Sequence, residues 1–421
     1  MARKKLLFVT TRLFWPTDEG HKVLLYNYCR GLCEYCNYDI YLYSFLEDGQ
    51  VLKLEDKPEF IKEIYTAKHL SSGQKISSIL RHSFFSKEPW SFQSSMYFSQ
   101  YNVENIRKLI ERIQPDSVIV DMIRLSPYFC AIKDYKGLKI LFMEDALSKR
   151  YIRQMNAAST ESGIAGRFGS NLPGFVNKVI NSKTLKNRIL KSESKRLEQE
   201  EVRAARNYDA MIYVNDIEVT EMNQKSGKNN SYTVTMGADC DYFGAEIQVD
   251  KVPNTLSYVG NMGVAANADA VRMIMDKIIP LIPSKPIMHF IGNVPDSLKS
   301  EYSGNPQCVF EGLVEDIRKS VKATEVVLCP IAYGTGVKTK VIEGMAMAMP
   351  VVTNYLGIDG LSVEVGRDLL MSDDFGELAS MVEELLHDPA KRQSLGKHGH
   401  EYALKNHRWE DIYKVFGQMG L

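Results

Sequence analysis

The chain has 421 residues, of which 44% are hydrophobic and 25% are charged. This length is sufficient for two sizeable hydrophobic cores, and the composition is ordinary for a globular protein. The 52 basic and 52 acidic residues cancel at pH 7, which argues against a dedicated nucleic-acid-binding protein. The sequence contains no apolar run near the roughly 18 residues that span a membrane, so we expect a cytoplasmic protein.

Seven cysteines are scattered along the chain without the paired spacing of a disulfide framework. Cys29, Cys33 and Cys36 fall on one face of a predicted helix, where two interpretations compete. Three thiols on one face suggest a metal site, but a structural zinc site needs four ligands, usually in close pairs. We favour small buried residues of a packed helix, and we expect neither a metal nor another cofactor.

The first half of the chain alternates between predicted strands and helices. The predicted elements are strand Leu6–Val9, helix Val23–Leu32, strand Tyr38–Phe45, helix Val103–Ile113, strand Ser117–Val120, helix Tyr128–Tyr135 and strand Lys139–Met143. Such alternation indicates a parallel sheet with helices on both faces, and ligands of such sheets bind beyond the carboxyl ends of the strands. The loops expected at that edge are residues 10–21, 121–127 and 144–151.

Residues 149–196 stand apart by their charge. They contain 11 Lys or Arg residues and only Glu161 and Glu193 as acids, an excess of nine positive charges. Apolar residues such as Phe175, Val179 and Leu190 are interleaved. A basic amphipathic segment is typical of a helix on an anionic membrane surface, and this interpretation predicts peripheral contact with the inner face of a membrane. The other interpretation is a helical excursion whose apolar face packs on its own domain, with the lysines in water.

A second alternating region begins at Leu256. Its predicted strands are Leu256–Val259, Ile287–Ile291, Cys308–Phe310, Val326–Cys329 and Val351–Thr353, and its predicted helices are Asp269–Leu281, Ile317–Ala323, Gly336–Ala348 and Phe375–Leu386. Residues 248–253 carry charges and a proline without a sustained apolar pattern, which predicts a linker between two α/β regions. At the end of the chain, Trp409, Ile412, Tyr413 and Phe416 have helical spacing.

The segment Gly334–Thr353 is the most informative for function. A predicted buried strand, Val326–Ile331, leads into a glycine turn and then into a helix that a proline ends. Such a turn presents free backbone N–H groups at the helix N-terminus, which is a natural phosphate site. Lys338 and Lys340 add positive charge there. Glu343 lies further along the helix, where its carboxylate can accept two hydrogen bonds from a ribose diol. Phosphate donors followed by a diol acceptor indicate a nucleotide-diphosphate site.

Several motifs, in order along the chain, carry a resemblance to a known family. They are Leu6-Leu-Phe-Val-Thr-Thr-Arg12 with Pro16 and Asp18-Glu-Gly20, Thr235-Met-Gly237-Ala-Asp239 with Tyr242-Phe243, Ser257-Tyr-Val-Gly260-Asn261 with Asn267-Ala-Asp-Ala270, the segment Gly334–Thr353, Gly357-Ile-Asp-Gly360-Leu361, and Trp409. With these motifs the chain resembles the retaining glycosyltransferases of family 4 (glycosyl transferases group 1). Ordered matches over most of the chain are specific, whereas a lone glycine loop is not.

The resemblance implies the GT-B architecture, an α/β fold with two Rossmann-like doubly wound domains facing a central cleft. Residues 1–247 are expected to form an acceptor-binding domain, with a C-terminal helix at 401–421 packing back on it, and residues 248–400 a donor-binding domain. The implied donor-binding residues are Gly260, Asn261, Val314, Gly334, Thr335, Gly336, Val337 and Glu343. Many family members carry two glutamates in the donor motif. The second matches Glu343, and the first falls at Thr335.

Further candidate residues lie at the loops of the first domain. The implied acceptor-side residues are Asp18, Gly20, His21, Arg124 and Asp145. Asp121 follows a buried strand where many relatives have a histidine nearby, and we assign it to the catalytic groups with Lys338 and Lys340. Each has a plainer interpretation: a turn for Asp18 and Gly20, a surface histidine for His21, and a helix cap for Asp121 and for the pair Glu144-Asp145.

We predict a metal-independent retaining glycosyltransferase. It would move a sugar from a UDP- or GDP-sugar to a glycan or lipid-linked saccharide, in the biosynthesis of a surface polysaccharide or glycoconjugate. The helix N-terminus and the two lysines would stabilise the departing diphosphate in place of a divalent cation. Two alternatives stay open. A nucleotide-sugar epimerase on the same fold needs catalytic acids that are not evident, and a non-catalytic partner or glycan-binding subunit is compatible with Thr335 and the missing histidine.

Overall fold

The structure is a computed structural model that describes residues 3–17, 20–47, 49–156, 183–333 and 336–421. These residues form two compact units. The first comprises residues 1–234 together with 413–421, and the second comprises residues 235–412. Elements are numbered here in chain order within the described residues.

The first unit contains a parallel sheet in the order β3-β2-β1-β4-β5-β6-β7. Its strands are β1 Lys4–Thr10, β2 Tyr38–Ser44, β3 Ile61–Thr66, β4 Ser117–Asp121, β5 Leu138–Glu144, β6 Ala210–Tyr213 and β7 Ser231–Thr233. The apolar residues of β1 and all five residues of β4 are buried. Continuous apolar runs of this kind are characteristic of parallel strands that are covered on both faces.

Helices of the first unit supply that cover. They are α1 Gly20–Glu34, α2 Ser72–Ile79, α3 Phe92–Tyr97, α4 Gln100–Ile113, α5 Ser126–Ala131, α6 Leu147–Asn156, α7 Lys183–Asn207 and α8 Asp216–Ser226. Helix α4 shows how sequence sets such an element. Ser99 caps its N-terminus by accepting a hydrogen bond from the Asn102 amide. Val103, Ile106 and Ile113 then recur on one face and enter the core.

The second unit contains a parallel sheet in the order β10-β9-β8-β11-β12-β13. Its strands are β8 Thr255–Val259, β9 Ile287–Ile291, β10 Cys308–Gly312, β11 Val326–Leu328, β12 Val351–Thr353 and β13 Leu370–Met371. Its helices are α9 Cys240–Gly244, α10 Ala265–Arg272, α11 Asp296–Glu301, α12 Ile317–Ala323, α13 Thr339–Ala346, α14 Phe375–His387, α15 Pro389–His407 and the start of α16 Trp409–Gln418. The α/β class and the two doubly wound sheets predicted from the sequence are confirmed.

In each sheet, the order in which the chain adds strands reverses at one pair of neighbouring strands. In the first unit the chain builds outward from β1 through β2 on one side and from β4 through β5 on the other. In the second unit β8 and β11 have the same relationship. Loops that leave such neighbouring strands diverge, and the crevice between them at the carboxyl edge is where ligands of α/β sheets bind. The loops after β1, β4, β8 and β11 are therefore the places to look for function.

The structure corrects the predicted helix Gly336–Ala348. Helix α13 covers only Thr339–Ala346, because Gly336 has φ 78° and Ala348 has φ 57°, both in the left-handed region that ends a helix. Lys338 is the extended residue just before the helix, and not part of its first turn.

The compact units also divide at other positions than 247 and 400. Residues 235–247 associate with the end of α15 in the second unit: Ala238 pairs with Arg408, and His407 Nδ1 lies 2.8 Å from the Met236 carbonyl oxygen. In the first unit, Phe416 packs edge-on against Tyr28 with ring centroids 5.4 Å apart. The chain end from residue 413 therefore belongs with the first unit.

The basic segment 149–196 is described only in part, since residues 157–182, including Phe175 and Val179, lie outside the described residues. Leu190 on α7 is 4% exposed and packs in the core of the first unit. Arg188, Lys191 and Lys195 on the same helix are exposed. Within the described ranges, no helix is both long and apolar enough to cross a membrane.

Candidate functional site

A glycine loop follows β8 at the carboxyl edge of the second sheet. The Gly260 amide donates a hydrogen bond to the Ile291 carbonyl, and the Gly292 amide donates to the Gly312 carbonyl. Gly292 has φ 128°, and a Cβ there would lie 2.1 Å from the Gly260 carbonyl oxygen. Only glycine fits at Gly292, and this close approach sets the path of the loop.

Asn261 stabilises the conformation of this glycine loop through its side chain. Its Oδ1 accepts hydrogen bonds from the Gly263 amide at 2.9 Å and from Asn293 Nδ2 at 3.2 Å. Val314, another donor candidate, follows β10 and is partly buried, whereas its chain neighbour Leu313 is 83% exposed. The structure thus puts both predicted residues at the carboxyl edge, Asn261 as a brace and Val314 beside an exposed apolar side chain.

Helix α13 enters the same edge from β11. Its buried residues Val341, Ile342 and Met345 anchor it on the sheet, so that its first turn is fixed at the end of the strands. Lys338 occupies the N-cap position, and no side chain caps the helix. The Val341 amide donates to the Lys338 carbonyl at 3.1 Å, which leaves the amides of Thr339 and Lys340 for a ligand or water. Gly336 and Val337 lie in the preceding turn, whereas Gly334 and Thr335 lie outside the described residues.

Lys340 points back from α13 to the loop after β8. Its Nζ donates to Tyr258 Oη at 2.7 Å and to Asn267 Oδ1 at 2.7 Å, and lies 4.2 Å from the centroid of the Tyr258 ring. Burial lowers the pKa of Lys340, while Cys329 and Glu343 act in the opposite direction. None of its hydrogen-bond partners among the described residues is a carboxylate.

Glu343 lies one turn after Lys340 on α13 and is partly buried. Burial raises the pKa of its carboxyl to about 7, and the charge of Lys340 opposes this shift. The ion pair expected from their spacing of three residues does not form, because the ammonium is bonded to Tyr258 and Asn267 instead. None of the other described residues donates a hydrogen bond to the Glu343 carboxylate. A carboxylate in this state can accept hydrogen bonds from the hydroxyls of a ligand.

In the first unit the first turn of α1 and the carboxyl ends of β4 and β5 bring a histidine between two carboxylates. His21 Nε2 lies 3.1 Å from Asp121 Oδ1, and His21 Nδ1 lies 3.2 Å from Glu144 Oε2. The N–H directions are poorly aligned with the oxygens, so these contacts are ion pairs rather than well-formed hydrogen bonds. Asp121 also accepts a hydrogen bond from Thr11 Oγ1 at 2.8 Å.

Opposite charges set the protonation states of this cluster. Burial alone would lower the pKa of His21, but Glu144 and Asp121 outweigh it and raise the pKa to about 9. Burial alone would raise the pKa of Asp121 and of Glu144, but His21 draws both below their usual range, helped by Thr11 and by Arg150 respectively. At neutral pH the cluster is therefore an imidazolium between two carboxylates.

The adjacent carboxylates Glu144 and Asp145 have different surroundings. Arg150 donates two hydrogen bonds to Asp145, at 2.9 and 2.7 Å, and the Asp145 side chain is only 5% exposed. The Glu144 side chain is 23% exposed, and Glu144 has φ 64°, a conformation that carries strain for a residue with a side chain. Arg150 Nη2 also donates a hydrogen bond to Glu144 Oε2 at 3.3 Å, so the guanidinium contacts both carboxylates, and Asp145, the predicted acceptor-side residue, is the more buried of the two.

Arg124 and Gly20 complete the predicted set, while Asp18 lies outside the described residues. Arg124 is partly buried, donates to Met122 Sδ at 3.0 Å and lies 5.7 Å from the centroid of the Tyr97 ring. It forms no ion pair with a described carboxylate. Gly20 is the first residue of α1, and a Cβ there would meet nothing within 4 Å, so close packing does not require glycine at this position.

Sequence reasoning missed the side chains that serve these groups. Tyr258 and Asn267 were noted only as parts of a motif, and Thr11 and Arg150 were not singled out. The partners of Tyr258 and Thr11 lie 82 and 110 positions away along the chain, so no local spacing predicts these contacts, whereas Arg150 lies only five positions from Asp145. Among the described residues, no group of three or more His, Cys, Asp and Glu side chains is arranged to hold a metal ion.

The chain resembles known proteins in a family model and in its fold. Residues 253–388 match the family described as "Glycosyl transferases group 1". A search by sequence among curated proteins finds no match. The solved structures that resemble the chain include sucrose-phosphate synthase from Thermosynechococcus elongatus, with a TM-score of 0.64, 14% identity, and coverage of 99% of this chain and 98% of that one.

Two further similar structures cover nearly all of both chains. Anabaena HepE in complex with UDP has a TM-score of 0.62 at 11% identity, over 98% of each chain. A variant of S. aureus TarM in complex with Fondaparinux, alpha-GlcNAc-glycerol and UDP has a TM-score of 0.60 at 11% identity, over 99% of each chain. At such identities the likeness shows the fold, which is GT-B. The group 1 domain within that fold identifies the protein as a glycosyltransferase.

Proposed function

We propose that this glycosyltransferase uses a nucleotide-diphosphate sugar and transfers the sugar, with retention of its anomeric configuration, to a glycan or lipid-linked saccharide. The observation that carries the donor assignment is the pair Lys340 and Glu343 on one turn of α13. Among the described residues, the ammonium is bonded only to neutral groups, which suits a diphosphate. None of them donates a hydrogen bond to the partly buried carboxylate, which suits a ribose diol.

The leaving diphosphate needs positive charge as the bond to the sugar breaks. We assign this role to Lys340, Lys338 and the uncapped N-terminus of α13, whose aligned peptide dipoles favour an anion. Fixed charges of this kind do the work that a divalent cation does elsewhere, so we propose transfer without a metal.

We propose that the acceptor hydroxyl attacks the anomeric carbon of the sugar from the same face from which the diphosphate departs. Glu343, the one carboxylate of α13, is assigned to the ribose and not to the reacting carbon, so α13 offers no nucleophile for a covalent glycosyl–carboxylate intermediate. Glu144, ionised and partly exposed, is our candidate for orienting the acceptor hydroxyl, with His21 holding it in place.

The similar structures guide the choice of substrates to test. Anabaena HepE is described in complex with UDP and with UDP-glucose, and S. aureus TarM with alpha-GlcNAc-glycerol and UDP. We therefore propose a UDP-sugar as the first donor and a polysaccharide repeat on a lipid carrier as the first acceptor.

A panel of UDP- and GDP-sugars tests the donor assignment. Calorimetry should show binding of the matching nucleoside diphosphate, and Glu343→Ala should weaken it by about 2–3 kcal/mol, the value of hydrogen bonds to a buried charged group. Unchanged affinity in the variant would contradict the ribose role. Products formed in EDTA with the donor's anomeric configuration are expected. Inversion, or activity restored only by magnesium or manganese, would overturn those parts of the proposal.

We propose in addition that the basic segment 149–196 contacts anionic lipid. The support is its excess of nine positive charges and the exposure of Arg188, Lys191 and Lys195 on α7. Each such residue near an anionic surface contributes about 1 kcal/mol. Replacing all three by glutamine should reduce sedimentation with phosphatidylserine vesicles at low salt. Equal sedimentation with neutral vesicles, or none with either, would favour a packed excursion with solvated lysines.

A further inference from the structure

The ammonium of Lys340 is held by a hydrogen-bond network that starts on β8. Tyr258 Oη donates to Asn267 Oδ1 at 2.9 Å, and both oxygens accept hydrogen bonds from Lys340 Nζ. Burial raises the pKa of Tyr258 well above its ordinary value, so the hydroxyl keeps the proton that it donates. The three polar groups therefore form a closed triangle.

Asn267 ties this triangle to the glycine loop. Its Nδ2 donates to the Asn261 carbonyl at 2.8 Å, which fixes the amide so that Oδ1 faces the ammonium. The fit is close: a Cβ on Gly260 would lie 3.0 Å from Lys340 Nζ and 3.2 Å from Asn267 Nδ2. The ammonium of Lys340 on α13 is thus placed against the backbone of the loop that follows β8.

The partners of Lys340 orient its charge without cancelling it. A carboxylate in either position would form an ion pair and neutralise the ammonium, whereas a phenol and a carboxamide offer only dipoles. An ammonium has three N–H donors, and the network uses two of them, so one is left without an acceptor among the described residues. The arrangement suits a basic group that must stay available to an anion.

We propose that Tyr258 and Asn267 are positioning residues that hold Lys340 beside the Gly260 loop for the diphosphate of the donor. This inference rests on the proposed function and adds to it the groups through which Lys340 acts. Neither residue needs to touch the nucleotide. Because their effect passes through the ammonium, it should depend on the phosphates of the ligand and should vanish when the ammonium is removed.

The experiment measures affinity for UDP and for UMP by calorimetry, with GDP and GMP as the second pair if uridine nucleotides do not bind. Tyr258→Phe removes an acceptor and should weaken UDP binding about tenfold, the lower end for a hydrogen bond to a charged group. Asn267→Asp places a carboxylate against the ammonium and should weaken it more, toward a hundredfold. UMP affinity should change much less in both variants.

Two controls separate positioning from a general structural effect. Tyr302→Phe and Asn305→Asp make the same chemical changes near the start of β10, at the other edge of the sheet, and should leave both affinities unchanged. In a Lys340→Met background, Tyr258→Phe should cause no further loss of UDP affinity. Thermal unfolding of each variant checks that the fold is retained.

The outcomes distinguish the inference from the function on which it rests. If Lys340→Met weakens UDP binding but Tyr258→Phe and Asn267→Asp do not, the positioning role is wrong and the donor site stands. The positioning role also fails if both variants weaken UMP and UDP equally, or if Tyr258→Phe retains its effect without Lys340. If neither diphosphate binds the wild-type protein, or if Lys340→Met binds as the wild type does, the proposed donor site itself fails.

Discussion

His21 Nε2 lies 3.1 Å from the carboxylate of Asp121, at the point where β4 ends in the first unit. The Asp121 side chain is fully buried and that of His21 is 6% exposed. A buried carboxylate is tolerated only when a positive group and hydrogen bonds compensate it. His21 supplies the charge, and Thr11 supplies the hydrogen bonds. The pair of His21 and Asp121 therefore stabilises the folded protein at the carboxyl edge of the first sheet.

We expect His21→Gln to destabilise the protein in a pH-dependent way. The pKa of His21 is about 9 in the folded state against 6.5 for the free side chain. The stabilisation is therefore complete below pH 6.5 and is lost as the pH rises to 9. A shift of this size corresponds to about 3 kcal/mol. Denaturant unfolding at pH 6 and pH 9.5 checks it, and an equal loss at both pH values would contradict the imidazolium assignment.

Glu144 and Asp145 should respond differently to removal of their charge. Glu144→Gln should lower kcat/KM for the acceptor about tenfold or more, with UDP affinity unchanged, because Glu144 is the more exposed carboxylate. Asp145→Asn should instead lower the melting temperature, since it leaves the Arg150 guanidinium without its bidentate partner. Steady-state kinetics and thermal unfolding on both variants decide between them, and the opposite pattern would reassign the acceptor role to Asp145.

Donor binding should be linked to proton release by Glu343. With a pKa of about 7, this carboxyl is partly protonated in the free protein, whereas a bound ribose diol stabilises the ionised form. Affinity for UDP should therefore fall by up to about tenfold per pH unit below pH 7 and level off above it. Glu343→Gln serves as the control for titration of the nucleotide itself. Parallel pH profiles for variant and wild type would show that Glu343 does not take part.

Stability between pH 5 and pH 8 should depend on Glu201, a buried residue of α7. Burial, supported by Glu218 and Asp145, raises its pKa to about 8 against the opposing hydrogen bonds of Ser148. The folded state favours the protonated form of Glu201. Its contribution to the unfolding free energy is therefore complete below pH 4.5 and is lost as the pH rises to 8. The loss is at most about 5 kcal/mol.

The matched test is Glu201→Gln against Glu198→Gln on the same helix, where Glu198 is 48% exposed. The unfolding free energy of the Glu201 variant should vary less between pH 5 and pH 8 than that of the wild type, while the Glu198 variant should follow the wild type. A Glu201 variant with an unchanged pH slope would mean that the carboxyl is ionised throughout this range.

The periodicity of apolar residues was sufficient to predict the two parallel sheets, because strand and helix patterns are local properties of the chain. It also predicted which loops lie at the carboxyl edges, since a parallel strand fixes the end at which the next loop begins. The ends of α13 were predicted less well. Gly336 and Ala348 take left-handed backbone conformations, and apolar spacing does not report a backbone angle.

The sequence by itself placed Lys340, Glu343, Asp121 and the pair Glu144-Asp145 at these edges, but tertiary structure decided what each of them does. Lys340 meets Tyr258 across 82 positions of the chain, and Thr11 meets Asp121 across 110 positions. The type and spacing of residues determine where a charge enters the fold. Which charge is then neutralised and which stays available depends on partners that only the packing of distant elements brings within reach.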